Sequence, residues 1–527
     1  MSEGTKKGMV AGAFSLAMAG LITKVLGVIY IVPFQNMAKD EAMGLYSSAY
    51  AFYVVMLQIA TAGIPLAISK LISERNAMRD YAGADQLYRV GARYLSVVGL
   101  VFFLLMFAGG GLVGWLTGNP DSSTAIRALS FALLLVPVMA AMRGYLQGHQ
   151  SMAVSGNSQV VEQFVRVVAI LLLVYIAVQM DASPGAIAAL GTFGGVLGAL
   201  ASLVYLAPKV VQVRRENRKR YRQPSNEASK VVFRRILKVA IPISLSSLVL
   251  PLSQLIDSMS VMNLLMWGFD LTKEAAASEF GVLTARAFRL IALPLSLATA
   301  IGLSLMPAIS EAIAGKNTAL RDSRVLTSFR LTSFFAFPTA IGILVLARPI
   351  DVAMFQNLEG ADTIAAVSFM AIFASYELVT TYILQSIGFM YVPIRNMFTG
   401  MGLKLILNLV LVPLYGIMGA AVATVLGYVL SAMLNFYSVR KLGGMRLPFR
   451  ELYVKPFVAS VIMGVVVWIV TWIPFEVVVP WERIASLVVV LVGGVVGAIV
   501  FGVLMVLMKG ITRDELKRMP VLKKLVR

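Results

Sequence analysis

Nine ionisable residues stand inside long apolar runs of this 527-residue chain: Lys24, Arg143, Glu162, Arg166, Asp257, Arg286, Arg289, Glu377 and Lys404. A charge at the centre of a bilayer costs about 2.5–3.5 kcal/mol on insertion scales, so each calls for a partner or a water-filled cavity. Six bases against three acids leave a surplus of +3. Glu162 and Arg166, four apart, are placed to pair on one helix face. Lys24 has no acid close in sequence, and Arg286 and Arg289, three apart, share a face with none nearby on their own helix. Cations kept at that cost suit an anionic substrate, and a guanidinium fork matches phosphate oxygens. The pattern predicts a cavity for a phosphate-bearing ligand lined by Lys24, Arg286 and Arg289, with Glu162 and Arg166 as a further charged pair. Asp257 and Glu377 are candidates for balancing that charge or serving a coupling ion or proton. Lys404 is expected to pair with one of them; Asn408 lies one turn beyond it, and Thr424 on the next helix. Arg143, near a helix end, is expected to snorkel to the interface, and His149 to be a loop residue.

The elements that position these groups follow from composition. The chain is 59% hydrophobic and 14% charged, with a mean hydropathy of +0.83. A soluble chain carries about 25% charge. Apolar runs of about 20 residues, the length that crosses a hydrocarbon core of about 30 Å, recur throughout. The expectation is an all-α polytopic membrane protein with helices near 10–37, 44–72, 91–117, 123–148, 154–179, 184–208, 236–267, 281–312, 325–347, 363–390, 394–413, 416–439, 454–474 and 484–508. The basic N-terminal stretch runs straight into the first apolar run, and reads as a first helix, not a cleaved signal.

The net charge of +20 is not a nucleic-acid footprint, because it is segregated. Alternate connectors hold 35 of the 46 Lys and Arg and their opposite numbers only five, which predicts cytoplasmic N- and C-termini. The stretch Arg214–Arg235 reads as a topogenic linker that can touch anionic lipid headgroups. With no cysteine and one histidine, disulfides, thiolate sites and multi-histidine metal centres are excluded. The absence of a P-loop argues against ATP-driven transport by this chain, and short outer connectors argue against an enzyme.

The two halves repeat. Ser130-Phe131 matches Ser368-Phe369, Leu146-Gln147 matches Leu384-Gln385, and Arg166 matches Lys404, all at an offset of 238; Ala67-Ile68-Ser69 matches Ala308-Ile309-Ser310 at 241. Helices 1–6 and 7–12 are thus expected as two parallel six-helix lobes (1–208 and 236–442) joined by the linker 209–235. Two extra helices lie in 443–508, and a basic tail follows at 509–527. Parallel repeats place the substrate path between lobes that rock to give alternating access. Gly191, Gly194, Gly195 and Gly198 read as a helix-packing face.

The stretch RGYLQGHQSMAVSGNSQVVEQFVRVV (143–168) resembles the stage V sporulation protein B-like branch of the multidrug/oligosaccharidyl-lipid/polysaccharide (MOP) exporter superfamily. So do TKVLG in helix 1, GIPLAISKLISE in helix 2, FRLIALPLSLATAIGLSLMPAIS in helix 8 and GIMGAAVATVLGYVLSAMLN in helix 12. The likeness covers essentially the whole chain, and fourteen spans as 6+6+2 is the pattern of the MurJ-like members. What it implies is a flippase in the bacterial plasma membrane that carries the peptidoglycan precursor lipid II from the inner to the outer leaflet. Lys24 and Arg289 fall on cavity positions of that family; Arg286, one turn earlier, is an addition from the charge pattern. Helix 2 carries no cavity arginine, and Lys404 stands where some relatives hold sodium. Helices 13 and 14 are implied to form a lateral groove for the polyprenyl tail. No cofactor is expected; coupling would be to membrane potential, Na+ or H+. Partners would be the lipid-linked glycan, membrane lipids and a wall-synthesis complex. Rival readings are a flippase for another polyprenyl-diphosphate glycan, a multidrug exporter, whose cavity would suit organic cations, and a non-transporting scaffold.

Overall fold

A computed structural model describes residues 18–508 and 510, except 21, 24, 28, 62, 222–224, 226, 445–447, 449 and 474–480. Lys24 lies outside the described residues. Among those described there is no strand. The chain divides at Gly281/Val282 into two units, each with its own packing.

The first unit contains α1 (Ile31–Thr61), α2 (Ile64–Ala77), α3 (Tyr81–Ala108), α4 (Gly110–Leu116), α5 (Ser122–Ser130), α6 (Ala132–Gly148), α7 (Met152–Gln179), α8 (Pro184–Arg218), α9 (Ser229–Ser247), α10 (Val249–Phe269) and α11 (Lys273–Gly281). The second opens on a π-helical turn, Val282–Ala287, and continues as α12 (Phe288–Ala314), α13 (Thr318–Val345), α14 (Ala347–Phe355), α15 (Ala361–Val367), α16 (Met370–Ser386), α17 (Tyr391–Gly443), α18 (Lys455–Val470) and α19 (Glu482–Leu507).

Among the described residues ten helices are long and apolar enough to cross a membrane, or eleven if a bent pair beginning at Lys273 counts as one span. That differs from the fourteen expected, for identifiable reasons. The run Met18–Ala77 covers 60 residues and Tyr391–Gly443 covers 53. At 1.5 Å per residue both far exceed a core of about 30 Å. Each is interrupted where the backbone leaves the helical region, at Lys39 (φ 62°, ψ 176°) and at Gly416 (φ 60°, ψ −144°). Gly416 suits its break because that region is essentially open only to glycine. The span expected near 236–267 is divided between α9 and α10.

Within the bilayer, lipid is as apolar as leucine, so helices associate through close fit. In the first unit Gly191 receives the Phe34 ring, Gly194 abuts Ile170, and Gly198 lies against the Glu162 carbonyl and Arg166. The glycine face of α8 is a packing surface, as its spacing predicts. Gly44 and Gly281 bring α1 and α11 so close that a side chain at either would strike backbone carbonyls. In the second unit Ile341, Met463, Val467, Val489 and Phe501 form the core joining α13, α18 and α19.

The repeat is visible in local structure. In the first unit a short helix ends at Ser130, the chain breaks at Phe131, and α6 runs to Gly148. In the second the corresponding break is at Ser368-Phe369, and α16 runs to Ser386. Break and end both keep the offset of 238.

Candidate functional site

In the first unit α6, α7 and α8 bring together a three-charge network. Arg143 donates to Glu162 Oε2 at 2.7 Å, to Ser158 Oγ at 3.0 Å and to Ser202 Oγ at 3.0 Å. Arg166 donates to Glu162 Oε1 at 2.7 Å. The expected Glu162–Arg166 pair forms, and Arg143 joins it. The expectation that Arg143 snorkels is corrected: two serines and a carboxylate inside the bundle satisfy its guanidinium. One acid shared by two bases leaves a local charge of +1. Arg166 Nε is buried with no acceptor among the described residues, so the network keeps one strong donor in reserve.

Facing it are three tyrosines that sequence reasoning missed. Tyr46, Tyr50 and Tyr53 fall on one face of α1, and all three lie within electrostatic reach of Arg166. Tyr46 and Tyr50 stack at 5.9 Å between centroids, and the Tyr46 hydroxyl meets that of Tyr30 at 3.3 Å. Their i, i+4, i+7 spacing was the available signal. The side chains of Arg143, Glu162 and Arg166 keep 15%, 14% and 23% of their surface. The arrangement can therefore hold hydroxyl-rich or anionic groups against an aromatic wall. Asp257, on α10, is buried in this unit.

In the second unit Arg286 and Arg289 part company. Arg286 is 2% exposed. Its guanidinium donates to Asp351 Oδ1 at 3.2 Å, to the Asn357 side chain and to Glu359 Oε2 at 3.4 Å, and lies over the Phe355 ring at 5.0 Å. Asp351, fully buried, also accepts from the Gly360 N–H at 2.7 Å. Counting Arg286 as unpaired cavity charge is thus corrected: the acids come from the 351–359 stretch, not from its own helix. It ties that connector to the start of α12. Arg289, three residues further and on α12, is half-buried.

Lys404, Asn408 and Thr424 are all buried on α17. The Lys404 ammonium lies 6.0 Å from the Phe288 ring centre. Of the two acids expected as partners of Lys404, Glu377 accepts instead, among the described residues, from Thr381 Oγ1 one turn away on α16, at 3.0 Å. From Thr381 a neutral ladder continues: Asn435 donates to Thr381 Oγ1 at 3.2 Å, and Asn396 donates to Asn435 Oδ1 at 2.9 Å and to Ser438 Oγ at 3.2 Å. Among the described residues no three His, Asp or Glu side chains converge as metal ligands would.

Outside the spans, His149 caps α6. Its Nδ1 meets the Tyr145 carbonyl at 2.9 Å, and its Nε2 meets the Asn217 amide at 2.6 Å, so the ring donates at one nitrogen and accepts at the other as neutral imidazole. Burial pushes its pKa below the ordinary value.

Fold and charge placement define a multi-pass helical membrane protein that keeps ionised groups inside its bundles. The polysaccharide biosynthesis protein family matches residues 9–313. The lipid II flippase MurJ of Bacillus subtilis (strain 168) is 30% identical over 88% of this chain and 89% of its own length. Stage V sporulation protein B of the same organism is 26% identical over 99% of both. Among solved structures, a lipid II flippase MurJ in an inward closed conformation superposes with a TM-score of 0.71 at 16% identity, over 94% of this chain and 98% of that one. The chain belongs to the polysaccharide biosynthesis protein family and is MurJ-like. Relatives with named activities here are transporters, not enzymes.

Proposed function

We propose that this protein is a lipid-linked oligosaccharide flippase that carries lipid II from the inner to the outer leaflet by alternating access. The observation that carries the reading is the 30% identity to a lipid II flippase across 88% of the chain. Fourteen crossings follow when the runs broken at Lys39 and Gly416 each count as two, and α9–α10 and the bent segment from Lys273 as one each. They would be arranged as two six-helix lobes and a terminal pair, with both termini cytoplasmic in a bacterial plasma membrane.

In this reading Lys24, Arg166 and Arg289 hold the diphosphate, and the tyrosine face of α1 takes the glycan. Arg286 is reassigned from ligand binding to anchoring. A diphosphate cannot enter hydrocarbon bare, since an isolated ion costs far more than thermal energy to desolvate; cations in a watered cavity replace its hydration. A membrane potential negative inside favours outward anion movement by about 2.3 kcal/mol per charge per 100 mV. Na+ or H+ coupling would fall to Asp257, Glu377, Lys404, Asn408 and Thr424. A wall-synthesis complex is the proposed protein partner.

A second reading, transport of another polyprenyl-diphosphate glycan, is favoured by the end-to-end similarity to stage V sporulation protein B. One assay separates the two. Cells depleted of their own flippase would express this chain, and an external enzyme that cleaves lipid II would report its exposure. Restored cleavage with wild type, lost in a membrane-inserted Arg289→Ala variant, is the expected result. No restoration despite good expression would overturn lipid II as the substrate in favour of the second reading.

A further inference from the structure

The second unit contains a cavity of about 730 Å³ between α13, α16, the last part of α17 and the residues leading into α18. Phe329, Phe337, Phe373, Tyr376, Phe436 and Phe457 line it, with Thr380 and Tyr453 beside them, and the Tyr376 hydroxyl is satisfied by Ser333 Oγ at 2.5 Å. Apart from Arg440 no charged side chain among the described residues lines it, so the interior does not suit a diphosphate. The rim residues Met433 and Tyr437 are 63% and 59% exposed, so hydrocarbon has access from the side.

Charge identifies the other end of the occupant. Arg440 stands at the cavity mouth, exposed and with no protein partner among the described residues. Lys441, near the end of α17, lies over the Tyr437 ring at 5.6 Å; Arg450 follows, and Lys455 opens α18. The one acid in that stretch, Glu451, is taken by Arg330 at 3.3 Å. This end is the basic one, which the distribution of Lys and Arg assigns to the cytoplasm.

We propose that this cavity binds an anionic glycerophospholipid of the inner leaflet, one acyl chain among the aromatic rings and the phosphate on Arg440. Basic pockets between helices on the cytoplasmic side are the setting in which such headgroups are recognised. The occupant is chosen by the pairing of an apolar, aromatic interior open at its rim with an exposed cation at its mouth, which suits an acyl chain joined to a phosphate. Of the core joining α13, α18 and α19, only Ile341 also lines the cavity; Met463 and Val467 do not.

The test is native mass spectrometry of the full chain titrated with phosphatidylglycerol or phosphatidylcholine. Wild type is expected to prefer phosphatidylglycerol. Arg440→Gln should weaken that lipid about fivefold, the equivalent of about 1 kcal/mol for one cation near a headgroup, and leave phosphatidylcholine unchanged. Arg440→Lys should restore the preference, and Ala432→Leu, which fills the cavity, should weaken both lipids. Because Arg440 is exposed, its two variants decide the matter even if Ala432→Leu does not fold. Equal binding of the two lipids by wild type, or an Arg440→Gln variant that keeps the preference, would overturn the proposal. So would displacement of phosphatidylglycerol by lower concentrations of a polyprenyl phosphate, which would give the site to the substrate tail.

Discussion

The two repeats arrange their intramembrane charge differently. In the first, Arg143, Glu162 and Arg166 converge; at an offset of 238 the second has Thr381, Gly400 and Lys404. Without the acid, a neutral ladder through Thr381, Asn435 and Asn396 takes over, and Gly400 packs against Gly427 and Ser431. The helix pair closes where the first repeat holds a charge network. The reverse holds one hairpin earlier. Arg286 and Arg289 correspond, at the offset of 241, to Leu45 and Ser48, both fully buried. Duplication supplied one scaffold, and each copy then kept its cations where its own surroundings could solvate them. The number of acids separates their roles: Arg286 meets two carboxylates, Asp351 and Glu359, whereas Arg143 and Arg166 share one.

The contrast is sharpest at Arg286, where the largest effect is expected. Arg286→Ala strands Asp351 in the interior, and breaking a buried pair from one side costs about 3–5 kcal/mol. Chemical unfolding in detergent should show that loss, and Arg286→Met combined with Asp351→Leu should recover most of it. A stable Arg286→Ala protein with only transport impaired would return this residue to the ligand cavity. In the first repeat Glu162→Gln removes the one acid between two guanidiniums. Losing a hydrogen bond to a charged group costs about 1.5–3 kcal/mol, so the same measurement should give a smaller value than Arg286→Ala. A loss as large as that for Arg286 would make the network an anchor of the same kind.

The second repeat is tested by adding one methyl. Gly400→Ala puts a Cβ into the Gly427 carbonyl and the Ser431 hydroxyl, and should cost about 1–2 kcal/mol, in the lower part of the overpacking range. An unchanged unfolding midpoint would mean that the two parts of α17 do not need that close approach.

How much of this was legible in advance depends on whether the information is local. The Glu162–Arg166 pair was, because helix periodicity fixes i, i+4 neighbours, and the α8 glycine face was for the same reason. Arg286 was misassigned because its acceptors lie 65–73 residues away, across a connector no periodicity reaches. The same holds for Arg143, whose partners sit 15, 19 and 59 residues on. The breaks at Lys39 and Gly416 were legible too: the polar stretch at 35–41 and the Pro413–Gly416 segment interrupt the apolar runs, and the expected boundaries at 37/44 and 413/416 fall there.

The smallest expected effect again sets one repeat against the other. His149 caps α6, and at the offset of 238 Ile387 caps α16. Only the first cap can titrate. Burial lowers the His149 pKa from its ordinary 6.5, so the unfolded chain binds the proton more readily than the folded one. Its stabilising contribution is therefore complete above about pH 6.5, declines as pH falls toward the folded-state value, and is absent below that value. Protonation would also cost the bond from Asn217, since a charged imidazole has no acceptor nitrogen. His149→Gln should flatten the pH dependence of unfolding between pH 5 and 7, and Ile387→Val should leave its slope unchanged. Hydrogen exchange would locate the effect, with faster exchange at acid pH around Tyr145 and Asn217 and none around Ile387. If the wild-type slope persists in His149→Gln, His149 does not set the acid sensitivity between pH 5 and 7. Asp80, whose pKa the Gly83 N–H and Arg75 hold below the ordinary 3.8 despite its burial, would act only at lower pH.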